Sequence, residues 1–213
     1  MSKSLIILWL VPVGMIAAQE LKPVVLPTPQ TSGGKPLMQV LKERKSVRDF
    51  GGEALSRQTI SNLLWAAWGV NREDGRRTAP SASNRQEIDV YLVMADGAYL
   101  YDAQKNALNP VAAADLRKLA GTQAYVAGAP VNLIYVADTA KLGGDDAARL
   151  ATANADTGFI AQNVYLFCAS EGLGTVVRAS VNRDDLGKAL NLRAGQRITL
   201  AQSVGYAKKS AGN

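Results

Sequence analysis

The run Val131-Asn132-Leu133-Ile134-Tyr135-Val136-Ala137 constrains this chain more than any other segment. It is almost continuously apolar, rich in β-branched and aromatic residues, and too short for a stable helix. That pattern predicts a central strand buried on both faces. Such a strand needs a covering layer on each side, and the flanking sequence offers several. Ile60, Leu63, Leu64, Ala67 and Trp68 recur at helical spacing between a Ser56 N-cap and Gly69. A longer helix is predicted over about residues 147–170, with Phe159, Ile160, Val164, Phe167 and Cys168 as its buried stripe and Gly172 as a left-handed C-cap. Shorter helices are expected over 36–43 and 183–190, the second with Asp184 and Asp185 in its first turn. A further helix is expected over 110–119, with Asn109 as cap and Pro110 in the first turn. Strands are expected over 88–95 and 99–101, joined as a hairpin by Asp96-Gly97, and over 174–178 and 198–206. Helices and strands are mixed and hairpin pairing is present, which reads as α+β.

With 213 residues, 47% hydrophobic and 20% charged, the chain can build one domain with a substantial core. It has no histidine and one cysteine. Metal centres built from Cys/His sets, Ser-His-Asp and Cys-His catalysis, and an internal disulfide are thereby excluded. Cys168 falls on the apolar stripe of the long helix, where a free cysteine acts as inert core. The net charge is +6, but the cations are scattered, with no Lys/Arg block interleaved with aromatics, so no nucleic-acid partner is expected. A basic module for an anionic polymer or lipid rests on net charge alone. A bound phosphate dianion would explain part of the excess equally well.

The first residues differ from the rest. Met1 to Lys3 are followed by the apolar run Leu5-Ile6-Ile7-Leu8-Trp9-Leu10-Val11, interrupted by Pro12 and Gly14, with small Ala17-Ala18 before polar Gln19-Glu20. This reads as a signal peptide over residues 1–18, since about 20 apolar residues are needed to span a bilayer. An uncleaved anchor or a buried helix is the alternative. Residues 19–35 carry Pro23, Pro27, Pro29, Gly33 and Gly34 and read as an extended arm, leaving 36–213 as the domain. Export to the periplasm, with no stable membrane insertion after signal cleavage, is the expectation.

Three segments carry the candidate chemistry. Arg44, Lys45, Ser46 and Arg48 place three cations and a hydroxyl within five residues, a set suited to a phosphate and its sugar chain. On these residues alone, a solvated basic helix end is the better reading. Pro80, Ser81, Ala82, Ser83 and Asn84 form a loop of small side chains that can approach a flat ligand closely, or an ordinary surface loop. Gly172-Leu173-Gly174 follows a helix instead of opening one, against the dinucleotide-binding pattern, so Gly172 is as readily a plain helix end.

Taken in order, Arg44-Lys45-Ser46-x-Arg48-x-Phe50, Leu63-Leu64-Trp65-Ala66-Ala67-x-Gly69, Arg77-Thr78-Ala79-Pro80-Ser81, Gln162-Asn163 and Gly172-Leu173-Gly174 resemble the FMN-binding nitroreductase family. The Leu-Leu-Trp-Ala-Ala and Arg-Thr-Ala-Pro-Ser blocks are most similar to its SagB-type dehydrogenase branch. The resemblance spans about residues 36–209. It implies a mixed, mainly antiparallel sheet flanked by helices, in an intertwined homodimer with FMN at the subunit interface. It also implies a ping-pong flavin oxidoreductase that takes electrons from a small-molecule donor, NAD(P)H among the candidates, and passes them to a small organic acceptor such as a nitro compound or quinone. The competing reading is a non-catalytic exported protein that binds FMN or another phosphate-bearing ligand. By the resemblance, Arg44, Lys45 and Ser46 hold the FMN phosphate and ribityl chain, and Arg48 lies near the pyrimidine edge. Pro80 to Asn84 contact the flavin, often from the partner subunit. The backbone of Val177, Arg178, Ala179 and Ser180 faces flavin N5, and Lys208 or Lys209 reaches the phosphate. Where many members carry an acidic residue and glycine, this chain has Ala179-Ser180, which keeps a backbone donor but changes what orients a substrate.

Overall fold

The computed structural model describes residues 21–208, so the expected signal segment and Lys209 lie outside the described residues. Seven strands form one sheet in the order β1-β4-β3-β2-β5-β7-β6. They are β1 (Val24–Val25), β2 (Ile88–Met94), β3 (Gly97–Asp102), β4 (Ala107–Ala112), β5 (Val131–Asp138), β6 (Gly174–Arg178) and β7 (Gln196–Gly205). The five helices are α1 (Leu37–Glu43), α2 (Arg57–Trp68), α3 (Tyr125–Gly128), α4 (Asp146–Glu171) and α5 (Arg183–Ala189). All strand pairings among the described residues are antiparallel, so the sheet is more uniform than the mixed one expected.

β5 is buried along its whole length, and its alternation splits the core in two. Val131, Leu133, Tyr135 and Ala137 join Leu63, Leu64, Trp68, Ile160, Val164 and Cys168 under α2 and α4. Ile134 and Val136 face the opposite cluster, with Val126 of α3 and Leu186 of α5. Polar side chains inside the sheet are paired with one another. Tyr135 donates to Gln202 Oε1 at 2.6 Å, while Asn132 Oδ1 accepts from Ser203 Oγ at 2.6 Å and Arg178 Nη2 at 2.9 Å.

The helix ends follow local chemistry. Ser56 Oγ accepts from Thr59 N–H to start α2, and Asp145 accepts from Ala148 N–H to start α4. Gly172, at φ 72°, closes α4 in the left-handed conformation, and the Leu173 N–H returns to Cys168 O at 2.8 Å. Cys168 is buried in the core, and burial pushes its thiol well above the ordinary range.

Two expectations fail. Residues 110–119 are not a helix: Pro110 lies in β4, opposite Tyr99, and only a single 3-10 turn forms at Arg117–Leu119. Pro110 sits next to a register irregularity and beyond the two residues that β1 covers, so its missing N–H removes no ladder bond. Phe159 is not on the buried stripe of α4 but 48% exposed. The stripe runs instead through Ala153, Thr157, Ile160, Val164 and Cys168, one step of about 100° away on the helix. Phe167 is only partly buried.

Gly174 has a packing role. A Cβ there would lie 2.8 Å from Val47 Cγ1, so only glycine lets the basic segment lie flat on β6. Gly174→Ala is expected to cost about 1–3 kcal/mol by overpacking, measured as a lower urea midpoint. The double variant with Val47→Ala should lose less than the two single losses added together.

Candidate functional site

Segment 44–48 leaves α1 and runs beside the start of β6, where the Val47 N–H donates to Thr175 O at 2.9 Å. Residues beyond β7 return antiparallel along the same segment: Phe50 bridges Ala207, and the Lys208 N–H donates to Asp49 O at 3.0 Å. Lys208, far away in sequence, thus joins Arg44, Lys45 and Arg48 at one corner. Lys45, Ser46, Arg48 and Lys208 are exposed and Arg44 is half-buried. Among the described residues, no ion pair reaches any of the four cations. A cavity of about 390 Å³ opens beside the corner, lined by Lys35, Glu43, Lys45, Val47, Tyr165 and Ala207 among others, with Lys35 and Glu43 paired at 2.6 Å.

Tyr165 holds this corner, and sequence reasoning missed it. Its hydroxyl is 2.8 Å from Ser46 Oγ and accepts from the Val177 N–H at 3.1 Å. The Arg44 guanidinium lies over its ring, 5.2 Å from the centroid. One side chain of α4 therefore ties the basic segment to the edge strand β6. The only sequence signal was its spacing, one residue after Val164 on a strongly helical stretch.

Segment 177–180 divides. The outward N–H of Val177 is used by Tyr165. The Arg178 side chain turns into the interior, where it donates to Ser203 Oγ, Ala120 O and Asn132 Oδ1 at 2.7–2.9 Å. Burial lowers the pKa of this guanidinium to about 10. Ala179 and Ser180 are exposed at the strand end and leave the backbone there open to a ligand.

The 80–84 loop sits elsewhere on α4. The Ala82 N–H donates to Asp156 Oδ2 at 2.8 Å, and Ser81 Oγ accepts from the Gln86 N–H at 3.0 Å. Ser83 and Asn84 adopt positive φ of 51° and 52°, and Pro80, Ala82, Ser83 and Asn84 are exposed. Asp156 and Tyr165 are nine residues apart on one helix, roughly 13 Å by its rise. No side-chain hydrogen bond joins this loop to the basic corner within the chain. Between them the outer face of α4 shows Ala155, Gly158, Phe159 and Gln162.

Glu87, just after the loop, is fully buried, and neither of its carboxyl oxygens has a hydrogen-bond partner in this geometry. Burial, reinforced by the neighbouring Asp156 carboxylate, raises it to about 7. The raised value means that the folded chain holds a proton that the unfolded chain releases from about pH 4.5 upward. This contribution to stability is complete below that value, declines as the pH climbs towards 7, and is gone above it. Glu87→Gln, which keeps the shape without the charge, should raise the melting temperature at pH 8 by about 3 °C or more and change it little at pH 5.

Among the described residues there is no cluster of His, Cys, Asp or Glu that could hold a metal ion, and no helix long and apolar enough to cross a membrane.

The Nitroreductase family model matches residues 41–206. A protein of Methanocaldococcus jannaschii named as a nitroreductase is 31% identical over 170 residues, 74% of this chain and 85% of its own length. A crystal structure of a nitroreductase-like protein from Ralstonia eutropha superposes with a TM-score of 0.84 at 40% identity, covering 88% of this chain and 90% of that one. The NADPH:FMN oxidoreductase of Vibrio harveyi shares the fold, at a TM-score of 0.61 and 20% identity, over 81% of this chain and 69% of its own. With both its motifs and its fold matched along most of its length, the chain belongs to the nitroreductase family and is an enzyme of the flavin oxidoreductase class.

Proposed function

We propose that the protein binds FMN at the Arg44-Lys45-Ser46 corner and works as a homodimer, passing electrons from a small-molecule donor to a small organic acceptor. The observation that carries this reading is the set of cations without carboxylate partners around Tyr165 and the adjoining cavity. Like charges gathered without counter-ions repel one another, and a phosphate dianion offsets that cost. The donor set therefore fits the group: Arg44 and Lys45 for phosphate, Ser46 for a hydroxyl, Lys208 from the returning terminus.

When bound, FMN supplies hydride-equivalent transfer, first from the donor and then to the acceptor at the same face. The chain supplies position and charge. Tyr165 fixes the Arg44 guanidinium and the Ser46 hydroxyl, Arg48 adds positive charge where electron density would accumulate, and the exposed Ala179-Ser180 backbone offers a donor at the ring. The chain has no histidine, and the groups named here hold and orient the cofactor.

The homodimer reading is supported by the placement of the 80–84 loop. The loop and the basic corner are anchored nine residues apart on α4, with an exposed stretch of that helix between them. A second copy set against the exposed face of α4 would bring its loop to the first copy's corner. The Leu63-to-Ala67 and Arg77-to-Ser81 blocks favour the SagB-type dehydrogenase branch. NAD(P)H as donor, nitro compounds or quinones as acceptors, and export by a signal peptide over residues 1–18 belong to the same proposal.

Purified protein should be yellow, with one FMN per chain and a sedimentation mass twice that of the chain. Its flavin band should bleach with NADPH or a chemical reductant and return on addition of a quinone. Arg44→Ala and Lys45→Ala should each weaken FMN retention about tenfold or more, the scale of a lost charge-assisted hydrogen bond. Colourless protein that takes up no added FMN would overturn the proposal.

A further inference from the structure

Beside the far end of the 80–84 loop is a second recess, of about 330 Å³, lined by Trp68, Arg77, Arg85, Asp89, Tyr101 and Lys141 among others. It shares no lining residue with the cavity at Tyr165. The Arg77 guanidinium lies over the Trp68 ring, 5.5 Å from the centroid, and its Nε donates to Gln86 Oε1 at 2.9 Å. Arg85 donates to Lys141 O at 2.9 Å, and Lys141 Nζ donates to Gln86 O at 3.0 Å. These partners are neutral, so they fix the positions of the three cations without cancelling their charge.

Among the described residues, no ion pair reaches Arg77, Arg85 or Lys141. Asp89 is the only carboxylate in the lining, and it already accepts from Gln196 Nε2 at 3.1 Å. Burial favours the neutral form of Asp89 and weakens the protonation of Arg77, so both groups sit in a partly dehydrated place. Three cations against Asp89 leave the recess an excess of about two positive charges, arranged as two planar guanidinium forks and an ammonium on a largely polar wall.

We propose that this recess is an anion-binding site, distinct from the basic corner at Tyr165, that takes the phosphate or carboxylate end of a small organic molecule. Two carbonyl-anchored cations and a stacked arginine provide directed donors. Asn84 and Gln86, both at positive φ, form part of the same wall. An occupant there therefore bears directly on the 80–84 loop.

Inorganic phosphate and malonate, titrated in turn by calorimetry at constant ionic strength into the full-length FMN-loaded protein, test the site. Saturable binding of one of them, one per chain, is expected. Arg85→Gln and Lys141→Gln, both on exposed side chains, should each weaken it about tenfold, while the remote Lys188→Gln leaves it unchanged. A preference for phosphate assigns a phosphate ester, and a preference for malonate assigns a carboxylate. No saturable binding, or binding indifferent to Arg85→Gln and Lys141→Gln (an adventitious ion only), overturns the site. If the protein takes up no flavin, Lys45→Gln is added to the series. Binding that is lost with Lys141→Gln and kept with Lys45→Gln then upholds this site even as the flavin reading falls, and the reverse pattern overturns it.

Discussion

The double burial of β5 is the constraint on which the rest of the molecule depends. A strand with side chains on both faces sealed from water needs two covering layers, and here α2 with α4 forms one while α3 with α5 forms the other. Each buried aliphatic side chain contributes about 1.5–3 kcal/mol, so a charge placed on either face of β5 would undo both clusters. The polar residues that do enter this core are admitted because they are paired. Asn132, Arg178 and Ser203 satisfy one another, and Tyr135 satisfies Gln202.

From that core the helix α4 extends the constraint to the chemistry. One face of it is locked into the sheet through Ile160, Val164 and Cys168, which leaves its other residues in fixed positions. Asp156 holds the small-residue loop near one end and Tyr165 holds the basic corner nearer the other. A single rigid element therefore sets the spacing between the loop and the basic corner. Between the two anchors the outer face of α4, with Gly158 and Phe159, is exposed, and the proposed homodimer would seat its second copy there.

Electrostatics divides the molecule in the same way. The buried Arg178 guanidinium is held by neutral acceptors at its two Nη atoms, while the cations at the Tyr165 corner and around Trp68 form no ion pair among the described residues. The overall excess of +6 is thus partly local, and the chain keeps its positive charge where small anions can reach it. Glu87 is the exception, a buried acid beside Asp156 that is kept neutral by its surroundings.

Much of this was legible in the residues themselves. The apolar run 131–137, the Ser56 cap, the Gly172 stop and the basic segment 44–48 each carry their meaning locally, since periodicity, capping and glycine conformation are short-range physics. Residues 110–119 misled because alanines and a leading proline favour a helix, whereas an open sheet edge tolerated Pro110 in β4. Phe159 misled because a large apolar side chain beside a buried stripe looks like part of it. The sequence by itself determined the longer strands and helices outside residues 107–128, that histidine and disulfide chemistry are absent, and which family the chain resembles. Only the tertiary structure decided that Tyr165 anchors Ser46 and Val177, that Arg178 points inward, that Lys208 returns to the basic corner, and that Arg77, Arg85 and Lys141 share one recess. The physical reason is that these are contacts between residues distant along the chain, and their geometry is set by how α4 and the sheet pack, which no local pattern records.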